Sequence, residues 1–229
     1  MQSALITGAN RGIGREGART LVSEGWHVLA AVRKPNSAPP GTQVEIVDMA
    51  DPESIEALAK RLRERGERLD ALVNNAGVTR EPARLVWDVN VLGPLRLTRA
   101  LQTLLNPNAR VVMVSSGLGQ ASAQPRSLIE RLSNPKLSLA DLEQLAQEAP
   151  GGYGESKATL NALAKVFAKQ LAPRGILVNA ISPGWVRSDM GGPSAPRSLQ
   201  QGADSVLWGV RLPADGPTGG VFQDGKSIE

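Results

Sequence analysis

The sequence predicts an α/β fold, a single doubly wound parallel sheet of seven strands with helices on both faces. Two observations carry this. Short β-branched or aliphatic runs recur between longer segments of helical period, the pattern left by parallel strands joined through crossover helices. The chain of 229 residues is 41% hydrophobic and 21% charged, enough for one continuous core. No internal repeat divides it, and the Pro-rich stretch from Lys34 to Gly41 is too short for a linker.

In chain order, the first strand is Ala4 to Ile6; a glycine turn follows, then helical spacing through Ala18, Leu21 and Val22. Strands two and three are Val28 to Val32 and Val44 to Val47. Asp51 is an N-cap with Pro52 at the first helical position, and Ile55, Leu58, Ala59 and Leu62 keep helical spacing up to strand four, Ala71 to Val73. Strand five is Val111 to Val114. Between Ser116 and Tyr153 lies a helical insertion, residues 117–152, in which Ser138 and Asp141 form a capping pattern and Leu139, Leu142 and Leu145 share a face. A helix then begins near Tyr153 with a stripe of Leu160, Leu163, Ala164, Phe167 and Leu171 and stops at Pro173 and Gly175, leading into strand six, Ile176 to Ile181. Residues 187–209 read as a Gly/Pro/Ser-rich loop and a helix over Leu199 to Trp208, placed where a mobile loop covers a ligand. Strand seven is Gly220 to Phe222, and the whole of 1–229 is one domain.

Composition excludes several chemistries. There is no cysteine, one histidine and one tyrosine, so thiolate nucleophiles, disulfides, metal sites built on several imidazoles and histidine-based triads are all ruled out. The histidine, His27, lies in the apolar run Trp26 to Val32 and reads as a strand residue. Acid–base chemistry falls to carboxylates, lysine or Tyr153. The 26 basic and 22 acidic residues are interspersed, which does not support nucleic-acid binding. With no apolar run near 18 residues and no charged leader segment, neither membrane insertion nor secretion is expected, and the expected compartment is the cytoplasm.

The first strand ends in Thr7-Gly8-Ala9-Asn10-Arg11-Gly12-Ile13-Gly14. A strand, a glycine turn and a helix N-terminus put backbone N–H groups where a pyrophosphate can sit, as in the Rossmann arrangement. Gly8 permits the sharp turn, Gly12 lets backbone approach the phosphates and Gly14 lets helix and sheet pack closely. At the end of strand two, where an acidic residue would bond a ribose 2′-OH, the run is Ala30-Ala31-Val32-Arg33-Lys34. With no carboxylate present, NADP(H) is expected over NAD, with Arg11 and Arg33 clamping the 2′-phosphate and Lys34 beside them.

The glycine turn at 8–14, Asp48 after strand three, Asn74-Asn75-Ala76-Gly77 after strand four, Asn90, Ser115-Ser116 after strand five, Tyr153-x-x-x-Lys157, and Pro183-Gly184-Trp185-Val186-Arg187-Ser188 follow one another in order. In these motifs the whole chain resembles the short-chain dehydrogenase/reductase family, and within it the monomeric carbonyl reductases. The resemblance implies that Asp48, with Met49 beside it, holds the adenine. It implies that Asn75, Ala76 and Gly77 line the adenosine side, and that Pro183, Gly184, Val186 and Ser188 hold the nicotinamide carboxamide. Ser188 stands where the family usually has threonine, keeping the hydroxyl. Lys157 would also grip the nicotinamide ribose, and Asn90 would hold a water connecting the lysine to solvent. Only residues 78–89 separate Gly77 from Asn90, fewer than the family usually has, so the wall beneath the nicotinamide is expected to be trimmed.

Tyr153 and Lys157 are four apart at a helix start and share a face, so an ammonium beside the phenol is expected to lower its pKa toward working pH. Tyr153 would then protonate the alkoxide formed when hydride reaches a carbonyl carbon, with a serine hydroxyl on the same oxygen. Ser116 matches the family's catalytic position, and Ser115 is the alternative. The reading is NADPH-dependent reduction of aldehydes or ketones to alcohols. The alternatives are an alcohol or sugar dehydrogenase running oxidatively, or a non-catalytic NADP(H)-sensing protein. Trp87 and Trp208 are core or pocket residues. The leucine stripe of the insertion must be buried, either on the Tyr153 helix in a monomer or in a dimer contact.

Overall fold

The computed structural model describes residues 1–149 and 151–229, so Pro150, within the 117–152 insertion, lies outside the described residues. Strands β1 (Ser3–Thr7), β2 (His27–Val32), β3 (Gln43–Ile46), β4 (Leu69–Asn74), β5 (Leu105–Val114), β6 (Leu177–Ile181), β7 (Val221–Gln223) and β8 (Lys226–Ser227) form one sheet in the order 3-2-1-4-5-6-7-8. Helices α1 (Gly12–Ser23), α2 (Pro52–Glu64), α3 (Ala83–Trp87), α4 (Gly93–Leu101), α5 (Arg126–Leu132), α6 (Leu139–Glu148), α7 (Tyr153–Leu171) and α8 (Leu199–Val210) join them, with a π-helical turn at Asp88–Leu92 between α3 and α4.

All neighbouring strands pair in parallel except the last two. This corrects the seven-strand expectation. Asp224 and Gly225 both have positive φ, 51° and 76°, the backbone of a two-residue hairpin that folds Lys226–Ser227 back onto β7. β8 is only two residues long and exposed, so no apolar alternation announces it.

Alternation along the central strands builds a core on each face. Leu5 and Leu72 point to the face covered by α2, α4 and α7, where Leu58, Leu95 and Phe167 are completely buried. Ala4, Ile6, Ala71 and Val73 point to the other face, against α1 and α8. α2 starts as its sequence dictates: the Asp51 carboxylate accepts from the Glu53 N–H at 2.9 Å, and Ile55, Leu58, Ala59 and Leu62 form its buried stripe. Burial of each such leucine contributes about 1.5–3 kcal/mol.

The stretch after β5 is closed by the chain itself. The α6 capping box is present, Ser138 accepting from the Asp141 N–H and Asp141 from the Ser138 N–H. Leu142 and Leu145 are buried, Leu145 in a small cluster with Trp87, Val91 and Leu128. Leu139 is only partly buried. Trp87 is therefore a core residue, while Trp208 packs at a tilt against Phe222 with ring centroids 5.1 Å apart, far down α8. Among the described residues no helix is long and apolar enough to cross a membrane.

Candidate active site

The sheet order changes direction between β1 and β4, and a crevice opens at the carboxyl ends of these strands. Thr7 ties the two ends together: its hydroxyl oxygen accepts from the Asn75 and Ala76 N–H groups at 2.9 and 3.0 Å, and Asn75 Nδ2 donates to the Thr7 carbonyl at 2.8 Å. Gly14 sits under this junction so closely that a Cβ there would lie 2.3 Å from Asn75 Nδ2. Gly8 takes a φ of +67° as the chain leaves β1.

The turn that follows fits a pyrophosphate. α1 has no side-chain N-cap and no acidic residue in its first turn, whereas α2, α6 and α8 are capped by Asp51, Ser138 and Ser198. Its leading N–H groups and positive helix end are thus left for an anion. A Cβ at Gly12 would meet nothing within 4 Å, so there is room above the backbone, and Asn10 and Ile13 flank it, both partly exposed.

Arg33 and Lys34 leave the end of β2 exposed and make no ion pair among the described residues. Arg11 differs from the expectation of a free clamp. Its Nη1 pairs at 2.9 Å with Asp189, on the loop after β6, and both side chains are largely exposed. A carboxylate within reach of the guanidinium is the reason, and such an exposed pair is weak enough to exchange for a phosphate. Asp48 stands after β3, its carboxylate accepting from the Ala50 N–H at 2.9 Å. Met49 is buried, its carbonyl only 2.7 Å from where a Gly93 Cβ would stand. Pro183 and Val186 are buried, Gly184 has a φ of +74°, and the Ser188 hydroxyl accepts from the Gly191 N–H at 3.1 Å.

Tyr153 opens α7, and Lys157 follows one turn on. Lys157 is buried; its ammonium donates to the Val114 carbonyl at the end of β5 at 2.7 Å and lies 5.6 Å from the centroid of the Tyr153 ring. Burial pulls the lysine pKa down to about 8. Burial likewise pushes the Tyr153 phenol above its ordinary value, while the Ser116 hydroxyl beside it pulls the other way. This corrects the expected lowering by the ammonium: desolvation is the larger cause, the opposing pull comes from Ser116, and the Lys157 nitrogen donates to Val114 instead. The result is a phenol held protonated.

The two serines after β5 part company. Ser115 is turned into the core, its hydroxyl donating to Asn161 Oδ1 at 2.5 Å. Ser116 is partly exposed, accepts from the Leu118 N–H at 3.2 Å and faces Tyr153. Asn90, in the π-helical turn, is fully buried: its amide donates to the Val78 carbonyl and accepts from the Val78 N–H, each at 2.9 Å, and also donates to Ser156 Oγ. It therefore clamps Gly77–Val78, at a point where a Gly77 Cβ would sit 3.6 Å from Lys157 Nζ. The short segment beyond is exposed from Arg80 to Leu85. Leu118, Trp185 and Met190 are exposed apolar side chains on the loops after β5 and β6, and the Trp185 indole is pinned by its N–H to the Gly191 carbonyl at 2.8 Å. Sequence reasoning quoted Thr7 at the head of the glycine turn without giving it a role, and it missed Ser156, Asp189 and Asn161; Asn161 carried a signal, being four residues beyond Lys157 on the same helix face.

The chain is similar to known proteins along most of its length. Residues 2–127 match the family model described as short chain dehydrogenase, and residues 137–207 match that described as enoyl-(acyl carrier protein) reductase. The NADPH carbonyl reductase 1 of Sus scrofa is 30% identical over 272 aligned positions, covering 99% of this chain and 93% of its own. Among solved structures, salutaridine reductase from Papaver somniferum superposes with a TM-score of 0.85 at 25% identity, covering 98% of this chain and 100% of that one. The NADPH-bound carbonyl reductase from chicken fatty liver gives 0.78 at 26% identity, covering 100% and 98%. A glycine turn, a serine and a Tyr-x-x-x-Lys helix grouped on one sheet, and a family match over more than half the length, lead to one assignment: the chain belongs to the short chain dehydrogenase family.

Proposed function

We propose that the protein reduces aldehydes or ketones to alcohols with NADPH, Tyr153 being the proton donor. The observation that carries this is the grouping of the Tyr153 phenol with the Ser116 hydroxyl on one side and buried Lys157 on the other. The carbonyl reductases among its relatives, named for NADPH, support the same chemistry.

When bound, NADPH supplies a hydride to the carbonyl carbon. The protein's own groups do the rest. The uncapped end of α1 and the turn at Gly8, Asn10, Gly12, Ile13 and Gly14 would hold the pyrophosphate. Arg33 and Lys34, with Arg11 once released from Asp189, would hold the 2′-phosphate. Asp48 and the Met49 backbone, then Asn75, Ala76 and Gly77, would line the adenosine side. Pro183, Gly184, Val186 and Ser188 would hold the carboxamide. Ser116 donates to the carbonyl oxygen, and Tyr153 passes it a proton as negative charge develops. A phenol kept protonated by burial suits that direction. Lys157 would reach the nicotinamide ribose and restore the tyrosine's proton, and Asn90 would hold the wall behind it and the water that links Lys157 to solvent.

The protein is proposed to act as a monomer in the cytoplasm; the burial of Leu142 and Leu145 within the chain supports the first part, and the cysteine-free sequence accords with the second. A panel of aldehydes, quinones and ketones, followed by loss of NADPH absorbance, tests the activity. Reduction of at least one class is expected; silence across the panel with NADPH bound would point to a cofactor-sensing protein instead.

A further inference from the structure

Tyr153, Lys157 and Asn161 form one row along α7, each a turn from the next, and all three meet the segment that leaves β5. Tyr153 meets Ser116 and Lys157 meets the Val114 carbonyl. Asn161, nearly fully buried, holds the segment at two points: it accepts from the Ser115 hydroxyl at 2.5 Å and donates to the Gly119 carbonyl at 3.2 Å. These two points bracket Ser116. Gly119 is pressed onto α7 so closely that a Cβ there would lie 2.8 Å from Lys157.

The amide is itself held from outside. Asn161 Nδ2 also donates to a Glu229 carboxylate oxygen at 3.3 Å, and that oxygen accepts from the Ala121 N–H at 3.2 Å, just past the same turn. Gln120 Nε2 donates to the Ile228 carbonyl at 2.8 Å. An asparagine is suited to this place because it offers an acceptor to Ser115 and donors to Gly119 and Glu229 at once. Aspartate would lose both donors and set a second carboxylate beside Glu229.

We propose that Asn161 is a positioning residue: by gripping both sides of the Ser116 turn it fixes the Ser116 hydroxyl against the Tyr153 phenol. Its effect on turnover rests on the reductase reading above, but its effect on the phenol does not. Tyr153 is the only tyrosine in the chain, so tyrosinate absorbance titrates that one group.

The test compares wild type with Asn161→Ala, Ser115→Ala, the double variant and Ser116→Ala as the reference for a lost hydroxyl. Loosening Ser116 removes a contact that favours phenolate, so both single variants should titrate upward as Ser116→Ala does, by up to about one pH unit, the scale of one hydrogen bond. In carbonyl reduction each should lose turnover about tenfold, with the NADPH dissociation constant unchanged, and the double variant should be no worse than either single one. A phenol titration identical to wild type in both single variants overturns the proposal, as do additive losses of turnover. If Asn161→Ala fails to fold, Ser115→Ala alone decides. A wild-type protein that reduces no carbonyl, with the phenol still shifted in the variants, would sink the reductase reading and leave the positioning role standing.

Discussion

The Lys157 ammonium donates to the Val114 carbonyl, 2.7 Å away, and sits 5.6 Å from the Tyr153 ring centroid. The lysine is thus anchored to the end of β5 by one bond while its charge stays near the phenol. Burial prices that charge: the lysine's pKa falls to about 8.

The first prediction follows from that value. In the unfolded chain the lysine titrates near its ordinary 10.5, so between about pH 8 and 10.5 the unfolded state binds the extra proton and this group's contribution to stability rises with pH. Activity should move oppositely. Below about pH 8 Lys157 is charged and can support proton delivery, so kcat/KM for reduction should bend down above it. Lys157→Met should remove the bend, flatten the stability profile over the same range, and lower both turnover and NADPH affinity. Urea unfolding and pH-rate profiles of the two proteins check this; a bend shared by both would assign it elsewhere.

Cofactor choice should respond to the cations at the end of β2. Arg33→Ala should weaken NADPH by roughly 1.5–3 kcal/mol, the range for hydrogen bonds to a charged group, and leave NADH nearly unchanged. Titration of both dinucleotides by protein fluorescence measures it. Equal losses would show that Arg33 shapes the loop rather than reading the phosphate.

Assembly should follow from α6. With Leu142 and Leu145 buried inside the chain, light scattering at micromolar concentration should give the mass of one chain, 24.2 kDa. Deleting 134–147 should uncover Trp87 and Val91 and promote association. A mass near twice that of one chain for the intact protein contradicts this account.

Most of the architecture was legible because local chemistry and tertiary packing agree. Asp51-Pro52, the Ser138/Asp141 box and the α7 stripe each carry a cap or period that the fold then uses. β8 was missed because two exposed residues have no apolar pattern; its only sign was Asp224-Gly225. The glycine turn could be read because glycine at Gly8 and Gly14 is demanded by backbone shape and contact. What sequence could not supply was the direction of side chains. Adjacent Ser115 and Ser116 look alike until Asn161 claims one. Arg11 reads as a free cation until the fold brings Asp189 across from 178 residues away. The phenol pKa went astray for the same reason, since i, i+4 spacing places Lys157 beside Tyr153 but says nothing of Val114 or of burial.

The central claim is that Tyr153 delivers the proton to a carbonyl reduced by NADPH, and single-turnover reduction by Tyr153→Phe tests it most directly. With NADPH prebound and a carbonyl substrate in excess, the variant should bind the cofactor as wild type does and turn over at least about a hundredfold more slowly, the scale for loss of a general acid. A phenylalanine variant that reduces the substrate at the wild-type rate would contradict it.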